Sequence, residues 1–95
     1  MPLYVISWVD KPDSLQVRMG AREAHLAYAK TLGDKVKLGG PFLDDEGQMA
    51  GSLIIVEADS LDEAKALHAA DPYKKAGLFE RSDIRPFRIT LNGLG

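Results

Sequence analysis

The stretch that decides the fold is MAGSLIIVEADSLDE, residues 49–63, because it changes from a strand pattern to a helix start. Its apolar centre, LIIV at residues 53–56, lies between polar turn residues and is typical of a buried strand. SLDE at residues 60–63 has the capping-box pattern, in which the serine side chain accepts a hydrogen bond from the glutamate amide. We therefore predict a strand over residues 49–58 and a helix that begins at Leu61.

The same order of strand and helix occurs at the start of the chain. Residues 3–9 are rich in β-branched and aromatic side chains, which favours a buried strand. A helix is predicted to begin at Leu15, with Asp13 or Ser14 as its cap, and to end at Gly33.

The other two strands are predicted at the edges of the sheet. Residues 36–43 alternate weakly and contain Gly39-Gly40-Pro41, which suits an edge strand paired in a hairpin with the strand after it. The second helix is not expected to continue past Asp71, because a proline follows. Residues 87–91 alternate apolar and polar side chains and are predicted as the last strand, with Pro86 indicating an edge.

The resulting order β-α-β-β-α-β predicts an α+β fold of the ferredoxin-like, split-βαβ type. Right-handed crossovers place two helices on one face of a four-stranded antiparallel sheet. The opposite face would then be a large apolar surface on a monomer. We therefore expect a homodimer in which a second subunit covers that face.

Composition limits the class of protein. The chain has 95 residues, of which 45% are hydrophobic and 27% charged, so we expect one globular domain over residues 1–95. A formal charge of -2 does not provide the cationic surface that nucleic-acid binding needs. No cysteine is present, and the two histidines lack a metal-ligand spacing. Without a signal-peptide pattern or an apolar run long enough for a bilayer, we expect a cytoplasmic protein that needs no metal or organic cofactor.

The first helix carries three candidate site residues. At about 100° per residue, its apolar side chains share one stripe: Leu15, Met19, Leu26 and Ala29. Arg22 lies within this stripe, so its guanidinium either finds a carboxylate, a carbonyl or a bound anion, or reaches to the rim. We expect Arg18 to reach to the rim and cover apolar surface. His25 borders the stripe, where a half-sheltered imidazole can change protonation near neutral pH.

The second helix supplies the matching acidic group. Asp71 falls on the inward arc of its predicted last turn, where free carbonyl groups disfavour a carboxylate unless a donor or a cation compensates. Such a conflict is typical of a functional site, although Asp71 could instead accept amide hydrogen bonds from the turn after Pro72. The sequence therefore predicts an acid–base pair of His25 and Asp71, with His68 as the alternative partner of Asp71.

Seven short pieces, in order along the chain, resemble a known family. They are Arg22-Glu23-Ala24-His25-Leu26, Gly39-Gly40-Pro41, Gly51-Ser52, Glu57-Ala58-Asp59-Ser60, Asp71-Pro72-Tyr73, Ala76-Gly77-Leu78-Phe79 and Pro86-Phe87. Together they resemble the YciI-like (YCII-related) domain family. The resemblance implies a ferredoxin-like dimer with a pocket that contains His25 and Asp71, and makes Arg22, Ser52 and Tyr73 candidates for substrate contact. It also implies a link to elimination or dehydrochlorination of small aromatic breakdown products, which is the activity of some members.

The leading hypothesis is a small-molecule enzyme. His25 takes a proton from carbon or a hydroxyl group while Asp71 orients it, and Arg22, Ser52 and Tyr73 hold an anionic or enolic oxygen. Elimination, isomerisation or hydrolysis of a small polar or anionic compound would use these groups. One competing hypothesis is a dimeric accessory module that binds a small anion without turnover. Another is a structural interaction domain, which ordinary surface exposure of Arg22, His25 and Asp71 would favour.

Overall fold

A four-stranded antiparallel sheet forms the centre of the computed structural model, which describes residues 2–94. The strands are β1 (Leu3–Asp10), β2 (Val36–Leu43), β3 (Met49–Glu57) and β4 (Phe79–Phe87). Their order across the sheet is β2-β3-β1-β4, so β2 and β4 are the edges. The α-helices are α1 (Leu15–Leu32), α2 (Leu61–Ala69) and the short α3 (Pro72–Lys75), and a 3₁₀ turn (Gly33–Lys35) follows α1. The predicted α+β, ferredoxin-like fold is confirmed.

The two faces of the sheet differ in burial because side chains alternate along each strand. On β1, Tyr4, Ile6 and Trp8 are at most 8% exposed and form the core together with Val56 and Ala64. The alternate side chains of β1 are half-buried and lie on the face away from the helices, which we call the outer face. The core therefore occupies the helix-covered side of the sheet.

Both long helices begin where predicted, but only α2 has a side-chain cap. The Glu63 amide donates to Ser60 Oγ at 3.1 Å, as the capping box requires. Ser14 is the residue before α1, yet its side chain makes no bond to the helix amides. Gly33 follows α1 with φ of 57°, a left-handed conformation that favours glycine and ends the helix.

The inward face of α1 is centred away from the predicted apolar stripe. Three residues of that stripe are between 36% and 52% exposed: Leu15, Met19 and Leu26. Polar contacts set the rotation of the helix instead, because Arg18 Nε donates to Asp10 Oδ2 and Tyr28 Oη donates to the carbonyl oxygen of Leu67. The hydrophobic pattern of α1 alone therefore gave the wrong inward face.

The predicted last strand over residues 87–91 is wrong, because β4 ends at Phe87 and residues 88–94 form neither helix nor strand. The segment FERSDIRPF has few apolar residues, and only Phe79 and Ile84 of it pack against the core. β4 is an edge strand that pairs on one side with β1, so its polar side chains can remain in contact with solvent. Pro86 lies opposite Tyr4 on that edge strand, as expected for a residue without an amide proton.

Asp71 lies outside α2, contrary to the prediction. α2 ends at Ala69, and Asp71 is the residue that caps the start of α3. Its Oδ1 accepts the Tyr73 amide at 2.9 Å, and Pro72 occupies the first turn of α3. A carboxylate is favoured at the start of a helix, where the amide groups are free. The conflict inferred from the sequence is therefore absent.

Candidate functional site

A cavity of about 290 Å³ lies between α1 and the β2–β3 half of the sheet. The residues that line it come from α1, β2, β3 and α3: Arg18, Arg22, His25, Leu26, Ala29, Val36, Gly39, Gly40, Pro41, Met49, Ser52, Ile54 and Tyr73. Most of these side chains are apolar, and a small number of polar groups converge among them. That composition and volume are typical of a site for a small organic molecule.

His25 and Asp71 meet beside this cavity, although 46 positions separate them in the chain. Nδ1 of His25 lies 2.9 Å from both Oδ1 and Oδ2 of Asp71. The two side chains are 12% and 5% exposed. A carboxylate can only accept hydrogen bonds, so this contact places the proton on Nδ1 and leaves Nε2 as the basic nitrogen. The Tyr73 amide holds the carboxylate from a second direction.

Aromatic rings hold the plane of the imidazole. Tyr73 stacks on His25 with ring centroids 4.0 Å apart and planes inclined by 15°. Trp8 meets His25 edge-on, with centroids 6.1 Å apart. Burial raises the pKa of the Tyr73 hydroxyl above its usual value of 10.0, although the positive charges of Arg18 and Arg22 oppose this. The phenol therefore keeps its proton at neutral pH and can donate a hydrogen bond.

Arg18 is a cavity residue, not the rim residue that we predicted, because it is only 3% exposed. Its Nε donates to Asp10 Oδ2 at 2.8 Å, and its Nη2 donates to the carbonyl oxygen of Gly51 at 2.7 Å and to Ser52 Oγ at 2.8 Å. The guanidinium carbon also lies 5.0 Å from the centre of the Tyr73 ring. A buried guanidinium is stable here because a carboxylate and two further acceptors compensate its charge.

The sequence did contain a signal for Arg18. On the helical wheel, Arg18 lies about 20° from His25. A helix rotated to shelter His25 therefore also buries Arg18 and carries Arg22 outward. Arg22 is indeed exposed, at the rim of the cavity, so the second of its two alternatives holds.

Ser52 and Tyr73 also line the cavity and are buried, at 4% and 1% exposure. His68, the alternative partner of Asp71, hydrogen bonds elsewhere: its Nε2 lies 2.9 Å from Ser82 Oγ, and its ring stacks on Phe79. Within residues 2–94 there is no cluster of three potential metal ligands and no helix with the length and hydropathy of a membrane span.

Known proteins are similar to this chain in both sequence and fold. The family model for the YCII-related domain matches residues 2–88. Protein YciI of Escherichia coli O6:H1 is 42% identical, over 90% of this chain and 96% of that protein. The structure of 5-chloro-2-hydroxyhydroquinone dehydrochlorinase (TftG) from Burkholderia phenoliruptrix AC1100, in complex with 2,5-dihydroxybenzoquinone, is 41% identical with a TM-score of 0.84, over 90% of this chain and 93% of that one. An antibiotic biosynthesis monooxygenase, at 8% identity and a TM-score of 0.58 over 96% of this chain and all of that one, shares the fold alone. The resemblance inferred from the sequence motifs is confirmed.

Proposed function

The chain belongs to the YCII-related domain family, and on that premise we propose that it is a small-molecule enzyme with His25 as its general base. The observation that carries the proposal is the 2.9 Å contact of His25 Nδ1 with both carboxylate oxygens of Asp71, beside a cavity of about 290 Å³. Asp71 orients the imidazole and stabilises its charged form when Nε2 takes a proton. A positioned base of this kind typically contributes about 10²- to 10⁴-fold to the rate.

The other polar groups of the cavity would bind an oxygen that gains negative charge. Arg18 Nη2 donates to Ser52 Oγ, so the hydroxyl proton of Ser52 is free to donate to a ligand. Tyr73 keeps its phenol proton, and Arg22 adds positive charge at the rim. Such donors stabilise an enolate or phenolate oxygen more strongly as its charge develops.

Elimination from a small oxygenated ring compound is the reaction that we favour. The similar structure is that of a dehydrochlorinase in complex with 2,5-dihydroxybenzoquinone, which supports this substrate class for the present chain. In an elimination the base takes a proton from the substrate, and the leaving group departs with the electron pair of its bond. The electron pair of the broken bond to hydrogen forms the new double bond, so the reaction balances without an oxidant or a reductant. Isomerisation and hydrolysis would use the same base and the same oxygen-binding groups.

Chloride release from 5-chloro-2-hydroxyhydroquinone by the purified protein tests this proposal. We expect Asp71→Asn to lower kcat by about 10²- to 10⁴-fold, because an amide does not hold the required tautomer of His25. Asparagine still accepts the Tyr73 amide, so the start of α3 is retained. This variant therefore separates the orienting role of Asp71 from its capping role.

The two histidines provide the matched comparison. We expect His25→Ala to abolish chloride release while the far-ultraviolet circular dichroism spectrum is unchanged. His68→Gln should keep the wild-type kcat, because His68 does not line the cavity and hydrogen bonds to Ser82 rather than to Asp71. Wild-type kcat in a folded His25→Ala protein would contradict the proposal.

A second candidate function is a dimeric module that binds a small anion without turnover. Arg22 lies at the rim of the cavity beside His25, and its exposed guanidinium favours anion binding. In that case an anion such as benzoate binds, and no compound in a broad panel of small polar substrates is consumed. Elimination that is lost in His25→Ala would reject this alternative.

We also propose a cytoplasmic homodimer formed through the outer face of the sheet. The chain exposes 6348 Å², against roughly 5,400 Å² for a folded monomer of its mass. Large apolar residues are exposed on the outer face and in the segment after β4: Leu38, Phe42, Phe87, Ile89 and Leu91. Such a surface is typical of a subunit interface. Sedimentation equilibrium should report twice the mass of the chain.

A further inference from the structure

We propose that Gly39 determines which ligands the cavity accepts, because the side chain that it lacks leaves the space for the ligand. The inference rests on the proposed function, since it takes this cavity to be the substrate site. Gly39 of β2 lies opposite Ile54 of β3, and Ile54 lies opposite Ile6, which is 3% exposed beneath the helices. A side chain at position 39 would therefore project to the helix-covered face, where the cavity lies.

The backbone at Gly39 does not require glycine. Its φ lies outside the left-handed region. A Cβ at this position would lie 3.5 Å from Ile54 Cγ1 and 3.6 Å from the carbonyl oxygen of Leu53, which are ordinary contact distances. A Cβ therefore fits at position 39 without strain in β2, and the methyl groups of valine would take up space on the side of the sheet where the cavity lies.

Gly51 of β3 has a different reason to be glycine. A Cβ there would collide with the carbonyl oxygen of Trp8 on the neighbouring strand. Close approach of two strands therefore accounts for Gly51, whereas no contact within the protein accounts for Gly39. The cavity is the feature that a side chain at position 39 would change.

Gly40 provides a matched control one residue along the same strand. It lies opposite Leu53, whose side chain belongs to the outer face, and a Cβ at Gly40 would meet no atom within 4 Å. The backbone of Gly40 lines the same cavity, but a side chain there would point away from it. Valine at position 40 therefore changes the strand in the same way as valine at position 39 without filling the cavity.

Because the cavity is small, one side chain at position 39 changes which ligands it can accept. Its volume of about 290 Å³ is at the lower end of the usual range for ligand pockets, roughly 300–1,000 Å³. Leu26 and Ala29 of α1 also line the cavity, so a side chain at position 39 narrows the space between β2 and α1. Under the proposed function the ligand is a single ring with small oxygen substituents, and a larger residue at position 39 restricts binding to smaller oxyanions.

Equilibrium binding of two probes of different size tests this. The probes are 2,5-dihydroxybenzoquinone and the small oxyanion glycolate, and the proteins are the wild type, Gly39→Val and Gly40→Val. We expect Gly39→Val to weaken dihydroxybenzoquinone binding by about tenfold or more, which is the usual scale of an overpacking penalty. Glycolate affinity should be unchanged in Gly39→Val, whereas Gly40→Val should change the affinities for the two probes by the same factor, because its side chain does not enter the cavity. Equal loss of dihydroxybenzoquinone affinity in both valine variants would overturn the proposal.

Xenon binding under pressure measures the same space independently of substrate chemistry, because xenon occupies apolar cavities. Crystals of the wild type and of Gly40→Val should hold xenon next to position 39, and Gly39→Val should not. If no protein binds dihydroxybenzoquinone but xenon distinguishes the variants in this way, the proposed function fails. The size limit, by which we mean that a side chain at position 39 reduces the space for a ligand, then stands. If Gly39→Val keeps both its xenon and its dihydroxybenzoquinone affinity, the size limit is wrong, whatever the turnover assay gives.

Discussion

The two halves of the helix layer differ in how they fill the space above the sheet. Above β2 and β3, α1 leaves a cavity of about 290 Å³ whose walls are held by polar contacts. Above β1 and β4, aromatic rings pack closely, with the Trp8 ring centroid 4.6 Å from that of Phe79 and 5.4 Å from that of His68. Each half contains one histidine. His25 has the Asp71 carboxylate as its partner, and His68 has the hydroxyl of Ser82.

The comparison teaches that the neighbours of a residue, rather than its type, decide its role. Both histidines lie on a helix and both contact the same indole ring of Trp8. Only His25 combines a carboxylate partner with room for a ligand. We call the region above β2 and β3 the cavity half and the region above β1 and β4 the packed half. The largest expected effect comes from removing one of the polar contacts that stabilise the cavity half.

We expect Arg18→Met to destabilise the protein by about 3–5 kcal/mol, because it leaves the buried carboxylate of Asp10 without its charged partner. Arg22→Met, at the rim of the same cavity, should change stability by no more than about 0.5 kcal/mol. Urea unfolding followed by Trp8 fluorescence measures both.

A double variant separates lost charge pairing from lost packing. Asp10→Asn combined with Arg18→Met should recover part of the loss, since no uncompensated carboxylate remains buried. Equal stability of Arg18→Met and Arg22→Met would show that polar contacts do not hold the cavity half together.

The helix starts of the two halves should respond differently to the same substitution. Ser60→Ala removes the acceptor of the Glu63 amide at the start of α2 and should cost about 1 kcal/mol. Ser14→Ala at the start of α1 should have an effect of no more than about 0.5 kcal/mol, because Ser14 makes no side-chain cap. Thermal melts of both variants measure the difference. The reverse ranking would mean that α1 depends on its cap more than α2 does.

The smallest expected effect is a pH dependence in the packed half. Burial lowers the pKa of His68 from its usual 6.5, and Lys74 lowers it further, while Asp71 opposes the shift. The unfolded chain therefore binds a proton more readily than the folded protein does. Stability from this group is complete above about pH 6.5 and decreases as the pH falls toward the lower pKa of the folded state.

His68→Gln should remove this contribution. Urea unfolding at about pH 7.5 and about pH 5 should show a smaller loss of stability on acidification in the variant than in the wild type. The other titratable groups are present in both proteins, so the difference between the proteins measures the contribution of His68 together with its interactions, including that with Asp71. An identical pH dependence in the two proteins would contradict the assignment.

The prediction of the fold succeeded where a local pattern carried the information. The run LIIV at residues 53–56 and the capping box at residues 60–63 lie in β3 and at the start of α2, as expected. The prediction failed for β4, because an edge strand has too few apolar residues to alternate visibly. It also failed for the rotation of α1, which the distant partners of Arg18 decide.

The candidate site was predictable in part. The chemistry of the side chains, together with the family resemblance, singled out His25 and Asp71, but it left His68 as an alternative, and the catalytic roles stay predictions. Asp71 was placed at the end of α2 although it starts α3, because the prediction used Pro72 only as the end of α2, whereas an Asp-Pro pair also indicates the start of a new helix. Arg18 was missed because the predicted rotation of α1 followed the apolar stripe and not the position of His25, which lies about 20° from Arg18 on the helical wheel.

The sequence by itself determined the order of strands and helices, since apolar runs, turn residues and caps act over a few positions. Only the tertiary structure decided which face of α1 points inward, that His25 rather than His68 meets Asp71, and that the space beside Gly39 is a cavity. Those outcomes depend on contacts between residues many positions apart, such as the 2.7 Å hydrogen bond from Arg18 Nη2 to the carbonyl oxygen of Gly51. Contacts of this kind form only when the sheet brings the strands together, so no local pattern in the chain records them.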